Sequence, residues 1–371
     1  MRTMNHILFR SARLLFLWAL MLGTTLASAQ NLTDSRSVSK SFPASRETTL
    51  EVVNKYGKIQ LVTWDKDSVA VDVDIHLTES STSKLKKLKE DVSIDFTGSK
   101  TYIIAKTVID SESGRIESEL KSIGNTISGT NKKVEINYMV YVPAQMDVVL
   151  TNKFGDIYMD DLEGQVDIDL SNGVLKANNL KGNSSISLSF ANGMIKSLGS
   201  STMKLSYSDL ALNEVSQLDL DSKSSKLNVD SVNVVKISSR RDKLYFKKVE
   251  YLYGQSNFSQ VWVYDFLRES DVYMKYGKLT IEHIVPGFTK IFVESDYTDI
   301  TLMFDKKASF GFDILHHRKS VLRLPDSKSL DEESFDGDEL YKTVGKLGSG
   351  DPGGQVNIDA LQKCFINISY K

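Results

Sequence analysis

The chain has 371 residues, with 46 Lys and Arg against 48 Asp and Glu, 22 glycines, 5 prolines and one cysteine. Near-balanced charge leaves no basic field of the kind that neutralises a nucleic-acid backbone, and so few prolines exclude a collagen-like or low-complexity chain. A single cysteine excludes a disulfide framework, so stability has to come from core packing and backbone ladders.

The first 29 residues read as a secretory signal peptide. Arg2, Arg10 and Arg13 give a positive start, 14–26 is an apolar run, and Ala27-Ser28-Ala29 is a small-x-small cleavage site. An N-terminal membrane anchor is the alternative, but the run is shorter than the roughly 20 residues a span needs. Gln30 would start the mature chain, where lipid attachment would need a cysteine. No later stretch is apolar enough to cross a bilayer, so no transmembrane span is expected once the signal is removed. Its removal moves the formal net charge from −2 to −5. These features predict an exported protein, in the periplasm or on the outer cell surface.

Residues 30–45 are polar and predict a flexible lead-in. From 46 to 145 the chain reads as an N-terminal β region. Leu50, Val52, Ile59, Leu61, Val69, Val71, Val73 and Ile75 alternate with polar residues, the period of half-buried strands. Over 83–91 the period changes, with Leu85, Leu88 and Val92 at helical spacing, which predicts a short amphipathic helix over one end of a sheet. Its lysines, Lys84, Lys86, Lys87 and Lys89, suit a solvated face or, alternatively, an anionic surface. Strands are predicted at 92–96, 101–108 and 133–142, with a mobile loop at 111–131.

From 146 to 308 a turn motif repeats. Its copies include Phe154-Gly155-Asp156-Ile157, Asn172-Gly173-Val174-Leu175, Asn192-Gly193-Met194-Ile195, Tyr207-Ser208-Asp209-Leu210 and Arg241-Asp242-Lys243-Leu244. The small residues fall at 155, 173, 193, 208, 225, 242, 259, 277 and 298, spaced 18, 20, 15, 17, 17, 17, 18 and 21 apart. A near-constant short period means a stacked array. Ile157, Leu175, Ile195, Leu210, Leu227, Leu244, Val261, Leu279 and Ile300 then form one aliphatic column. Leu150, Ile168, Leu188, Met203, Leu220, Ile237, Val272 and Val293 form another, with Gly254 the exception. The small turn residue suits a position of positive φ or close backbone approach. The predicted fold is all-β: a parallel β-solenoid (β-helix) of short two-strand coils with an N-terminal strand and short-helix cap. A hairpin meander is the alternative. Residues 309–371 predict a C-terminal capping segment, with an acidic, glycine-containing loop at 326–354. Cys364, within Cys364-Phe365-Ile366-Asn367-Ile368, reads as a small core residue, a reactive thiol being the alternative.

Tyr56-Gly57-Lys58-Ile59, the 133–143 strand, Asn152-Lys153-Phe154-Gly155-Asp156-Ile157 and Ser171-Asn172-Gly173 resemble the bacterial adhesin-type β-strand-repeat family, exported domains of unknown function common in Bacteroidetes. The resemblance covers most of 45–304. It implies a β-solenoid and an envelope or surface location, and it supplies no catalytic residues. Copies 208–259 depart from it, with Ser or Asp in place of Gly.

Enzymatic solenoids need particular residues. A glycosidase needs two carboxylates on one cleft. Asp160-Asp161 are adjacent, and Asp167, Asp169, Asp219 and Asp221 alternate outward between aliphatics, as on solvated strands. Arg240-Arg241 could serve a lyase, but no acid cluster for calcium accompanies it. His316-His317 cannot both face one metal from a strand, and His76 and His283 stand isolated. No catalytic residue, metal site or cofactor is therefore predicted. An aromatic set remains: Tyr245, Trp262 and Tyr264 after the turn, and Tyr251, Tyr253 and Tyr273 before it. Such rings suit sugar or a protein partner, or the 326–354 loop covers them. The expected function is a non-enzymatic cell-envelope or surface protein that presents a β-face for adhesion, to a surface glycan or an envelope protein. A carbohydrate-active solenoid (polysaccharide lyase or hydrolase) and an envelope-signalling component are the alternatives.

Overall fold

The computed structural model describes residues 31–110, 133–325, 330–335 and 339–371. The signal-peptide reading, the 111–131 loop and parts of the 326–354 loop fall outside them.

Strand direction decides between coils and a meander. Asp209–Lys223 pairs in parallel with Lys226–Arg240, that strand with Lys243–Asn257, and that with Gln260–Lys275. Consecutive strands of a meander would run antiparallel. Each of these long strands is one whole coil. In Lys226–Arg240, Leu227 and Val229 point inward from the first leg, Val232 from the bend, and Val235, Ile237 and Ser239 from the second leg. Leu210, Leu227, Leu244 and Val261 are successive Cα partners and all are buried. Each such side chain contributes about 2 kcal/mol by leaving water, which a lone coil could not obtain.

One coil is out of the expected register. Leu175 pairs with Gly193 rather than Ile195, and Ile168 with Ile186 rather than Leu188. The corner of this coil is Phe190-Ala191, two residues before Asn192-Gly193. The small residues thus run 173, 191, 208, and the spacings of 20 and 15 become 18 and 17. Asn-Gly is a strong turn signal, yet here it lies in a strand, because Gly193 makes room for a neighbour. A Cβ there would sit 2.8 Å from Leu210 Cδ1.

Positive φ falls one residue earlier than expected. Among the described residues ten non-glycine residues adopt it, from Tyr56 (φ 68°) through Phe154, Asn172, Phe190, Tyr207, Ser224, Arg241, Phe258 and Tyr276 to Tyr297 (φ 54°). Each costs roughly 1–2 kcal/mol. The small residue that follows serves close approach instead: a Cβ on Gly155 would lie 1.7 Å from the Gly57 carbonyl oxygen, and one on Gly173 1.9 Å from that of Gly155. The ladder runs through the corner on both sides of this residue. Tyr207 N–H donates to Lys223 O of the next coil (3.0 Å), and Lys226 N–H donates back to Ser208 O (2.9 Å). The N–H of the small residue itself has no backbone acceptor in this pattern.

Serine and aspartate supply one. Ala191 N–H donates to Ser208 Oγ (3.2 Å), Ser208 N–H to Ser225 Oγ (3.1 Å), Ser225 N–H to Asp242 Oδ1 (2.7 Å) and Asp242 N–H to Ser259 Oγ (3.0 Å). Each serine passes its own proton to the carbonyl two residues back, as Ser225 Oγ does to Lys223 O (2.9 Å). The departures from glycine at 208–259 are therefore a second way to close the corner, at unchanged positive φ. They coincide with the 17-residue coils.

Both ends of the stack are built from chain that leaves it and returns. Thr49–Lys55 and Ile59–Trp64 form the first coil, in parallel register with Asp147–Lys153 and Ile157–Met159. The intervening chain supplies the cap. Tyr102–Ile109 lies on Thr49–Lys55 and Val134–Pro143 on Ile59–Trp64, and each continues outward antiparallel, to Val92–Gly98 and to Ser68–Glu79. The helix Thr82–Asp91, N-capped by Ser81, buries Leu88 against the cap. Residues 32–43 are not a lead-in but an edge strand, Leu32–Pro43, fully paired with Ser68–Glu79. Its half-buried side chains are Asp34, Arg36, Val38 and Phe42. Backbone pairing rather than apolar patterning holds it, so periodicity could not reveal it.

At the far end the chain order is interleaved. Gly354–Ala360 inserts between Lys290–Asp296 and Phe310–His317, and Phe365–Tyr370 between Asp299–Phe304 and Val321–Arg323. Cys364 is thereby a corner residue: its N–H donates to Ser320 Oγ (3.1 Å), repeating the serine scheme. The thiol is buried, and burial pushes its pKa up. Folded protein at pH 8 is expected to leave an aromatic disulfide reagent unreacted, and to release one equivalent of thiolate only on unfolding. Prompt reaction of the native protein would contradict this placement.

Candidate binding surface

The six aromatic residues singled out from the sequence divide between two legs of the coil. Tyr245 and Trp262 are Cα partners on adjacent first legs. Trp262 is 41 % and Tyr264 45 % exposed, and Lys371 Nζ lies 4.5 Å from the Tyr264 ring centroid. Tyr251, Tyr253 and Tyr273 lie on second legs. Tyr251 and Tyr253 stack at 6.4 Å, and Tyr273 donates to Asp296 Oδ2 (3.1 Å). The two sets lie on different legs of the coil, and the second is not in register, since Tyr251 pairs with Glu269, Tyr253 with Asp271 and Tyr273 with Gln255. The described part of 326–354 contributes Leu340–Leu347, which pairs with Phe310–His317 at the C-terminal end.

A second aromatic feature was hidden in the turn motif. The positive-φ residue projects outward at every corner, and where it is aromatic the rings stack along the solenoid. Phe190 and Tyr207 are 5.0 Å apart at 4°, Phe258 and Tyr276 4.9 Å at 16°, and Tyr276 and Tyr297 5.1 Å at 5°. Tyr56 and Phe154 stack at 5.6 Å. These separations follow the ~4.8 Å rise between paired strands. Lys223 and Lys275 stand over Tyr207 and Tyr276 at 6.0 and 5.6 Å. The rail is open to solvent, with Phe190 61 % exposed. The signal is an aromatic residue before most of the small ones, with Asn172, Ser224 and Arg241 the exceptions, and the expectation that the small residue itself holds the turn masks it.

The described histidines and Asp161 have structural partners. Asp161 Oδ1 accepts from Asn179 N–H and Nδ2 at 3.1 and 2.8 Å, while Asp167, Asp169, Asp219 and Asp221 stand exposed on second legs. His283 is not isolated. Its Nδ1 lies 2.7 Å from Asp265 Oδ1 and its Nε2 3.5 Å from Asp305 Oδ2, one coil to each side. Asp305 is held below the usual carboxylate range, first by the Lys307 N–H and then by His283. With both ring nitrogens engaged, His283 bridges three coils. His316 is buried, with Nε2 3.3 Å from Thr343 Oγ1.

No family model matches the chain, and no curated protein matches it in sequence. Solved structures do. A "putative cell adhesion protein" of Clostridium sporogenes is similar at 12 % identity over 92 % of this chain and 100 % of its own, with a TM-score of 0.21. A "putative adhesin" of Parabacteroides distasonis is similar at 12 % identity, over 73 % of this chain and 94 % of its own, with a TM-score of 0.27. One of Bacteroides fragilis is similar at 10 % identity, over 91 % and 97 %, with a TM-score of 0.21. Similarity of this degree carries nothing about ligand or activity. No helix among the described residues is long and apolar enough to cross a membrane.

Proposed function

We propose that this is a non-enzymatic protein of the cell envelope or surface whose solenoid presents aromatic side chains in register for adhesion or for docking a partner. The supporting observation is the coil-to-coil alignment of exposed rings, along the corner and on the first legs around Tyr245, Trp262 and Tyr264. A rigid ladder holds them without the conformational entropy cost of ordering a loop at the moment of binding. Flat apolar ring faces with polar rims match sugar rings and amphipathic protein surfaces. Exposed rings aligned into a contiguous stripe are the kind of surface that interaction sites use.

A glycan array tests the reading. Wild-type protein is expected to bind a restricted set of glycans. Trp262→Ala with Tyr245→Ala, or Tyr276→Ala on the rail, should lower that signal at least tenfold without changing the circular dichroism spectrum. Absence of binding to every glycan, or binding indifferent to all three substitutions, would end the glycan form of the proposal.

A further inference from the structure

The aromatic rail is interrupted at Ser224 and Arg241, and positive charge fills the interruption. Between Tyr207 and Phe258 two consecutive corners present Lys223, Arg240, Arg241 and Lys243, all exposed. Arg240, Arg241 and Lys243 form no ion pair among the described residues. No exposed carboxylate occupies the corners at 223–226, 240–243 or 257–260. Asp242 is turned inward, its oxygens taken by Ser222, Ser239 and two backbone N–H groups. Exposed Asp221 stands two residues before Lys223 on the same face of its strand, and Asp209 lies 4.0 Å from Lys226. The buried Asp242 carboxylate offsets one of these charges, and the remaining exposed cations repel one another and attract anions.

The walls of the interruption matter as much. Tyr207 stacks on Phe190, and Phe258 on Tyr276, so one face of each ring is used. Their other faces are turned toward the interruption, where Lys223 Nζ already stands 6.0 Å from the Tyr207 ring centroid. Tyr207 and Phe258 are three coils apart, about 14 Å at the usual strand spacing. The result is a slot along the corner edge with an aromatic ring at either end and guanidinium groups between, flanked by Phe190 on one side and by Tyr276 and Tyr297 on the other.

We propose that this slot binds an acidic polysaccharide of the uronate type, in which charged sugars are interspersed with neutral ones. Carboxylates pair with the Arg240 and Arg241 forks and with Lys223 and Lys243, while sugar rings lie against Tyr207 and Phe258. Confinement of the charge to two corners favours such a polymer over a nucleic acid, which is charged at every unit and would meet the acidic remainder of the chain. The inference rests on the partner-binding reading above and gives it a place and a ligand class.

The test uses pectins of one backbone and differing charge. Partially methyl-esterified polygalacturonate is expected to bind immobilised wild-type protein, and the fully esterified polymer to bind at least tenfold more weakly. Arg240→Ser with Arg241→Asn should cost tenfold or more, and Tyr207→Ala with Phe258→Ala about fivefold. Ser and Asn already stand at those corner positions in other coils, at Ser206 and Asn172, so folding is preserved. Lys204→Ser, on a second leg, should change nothing. Binding of the fully esterified polymer equal to that of the charged one would overturn the inference while leaving glycan binding intact. So would single-stranded DNA binding as tightly as pectin with no dependence on Tyr207 and Phe258, or no binding of any pectin. The broader reading fails separately, on the array, if Trp262, Tyr245 and Tyr276 prove irrelevant.

Discussion

Gly155→Ala is expected to detach the N-terminal cap from the stack, at a cost above about 4 kcal/mol. The added Cβ would lie 1.7 Å from the Gly57 carbonyl oxygen. No rotamer relieves that contact, because both atoms are fixed by the backbone. The corners of the first two coils must separate, and the Tyr56 N–H bond to Lys153 O (2.9 Å) and the Ile59 N–H bond to Asp156 O (2.8 Å) would lengthen with them. In a linear array each coil touches only its neighbours, so the damage stays at this joint. The loss should appear as a fall in the urea midpoint and as proteolysis near the cap before the central coils unfold. Gly287→Ala is the control. It has positive φ (89°) but nothing within 4 Å of the added carbon, so only backbone strain of about 1 kcal/mol is expected. Gly155→Ser should fail like alanine despite the serines at 208 and 225, since the clash is with Cβ itself. A stable Gly155→Ser protein would show that the two kinds of corner are interchangeable.

That contrast marks what the amino-acid sequence shows of this fold. The columns headed by Leu210, Leu227, Leu244 and Val261 were legible because the burial that makes a coil stable also forces an aliphatic residue every 17 positions. The coil at Phe190 was misplaced by two residues because Asn192-Gly193 is the stronger local turn signal. Only pairing with Leu175 and Leu210, which are remote in sequence, puts Gly193 into a strand. The order of the last coils was not legible at all. Ile358, Ile366 and Ile368 satisfy the columns equally well at the end of the stack or inserted before Phe310–His317, and periodicity carries no information about that choice.

The binding surface shows the same division. Tyr245 and Trp262 were found because they share a position in the repeat, which needs only an alignment of the chain with itself. Their separation from Tyr251, Tyr253 and Tyr273 follows from the bend between the legs, which no residue type announces. The corner rail was legible as letters, Phe154, Phe190, Tyr207, Phe258, Tyr276 and Tyr297, but not as a surface. An aromatic residue at positive φ is disfavoured on its own, and only stacking between coils together with the continuous ladder makes it the rule here.

Asp242→Ala should destabilise the central coils by about 4 kcal/mol, whereas Asp242→Ser should cost only about 1–2 kcal/mol. Asp242 is 2 % exposed and accepts four hydrogen bonds: from Ser225 N–H (2.7 Å), Arg240 N–H (2.8 Å), Ser222 Oγ (2.6 Å) and Ser239 Oγ (2.8 Å). Alanine leaves those donors in an interior where each unpaired group costs roughly 1–3 kcal/mol, partly relieved by hydroxyl rotation. Ser239 can still donate to Ser259 Oγ (2.9 Å), which is why the total stays below the sum of four losses. Serine restores the acceptor for Ser225 N–H, as Ser225 does for Ser208, and removes the need to keep a carboxylate out of water. The ordering alanine worse than serine follows from the corner scheme, and urea midpoints of the two variants measure it. Equal loss in both would mean that the carboxylate, rather than the acceptor it offers the corner N–H, holds these coils together. The internal serines 222 and 239 would then have to be read as its solvation shell.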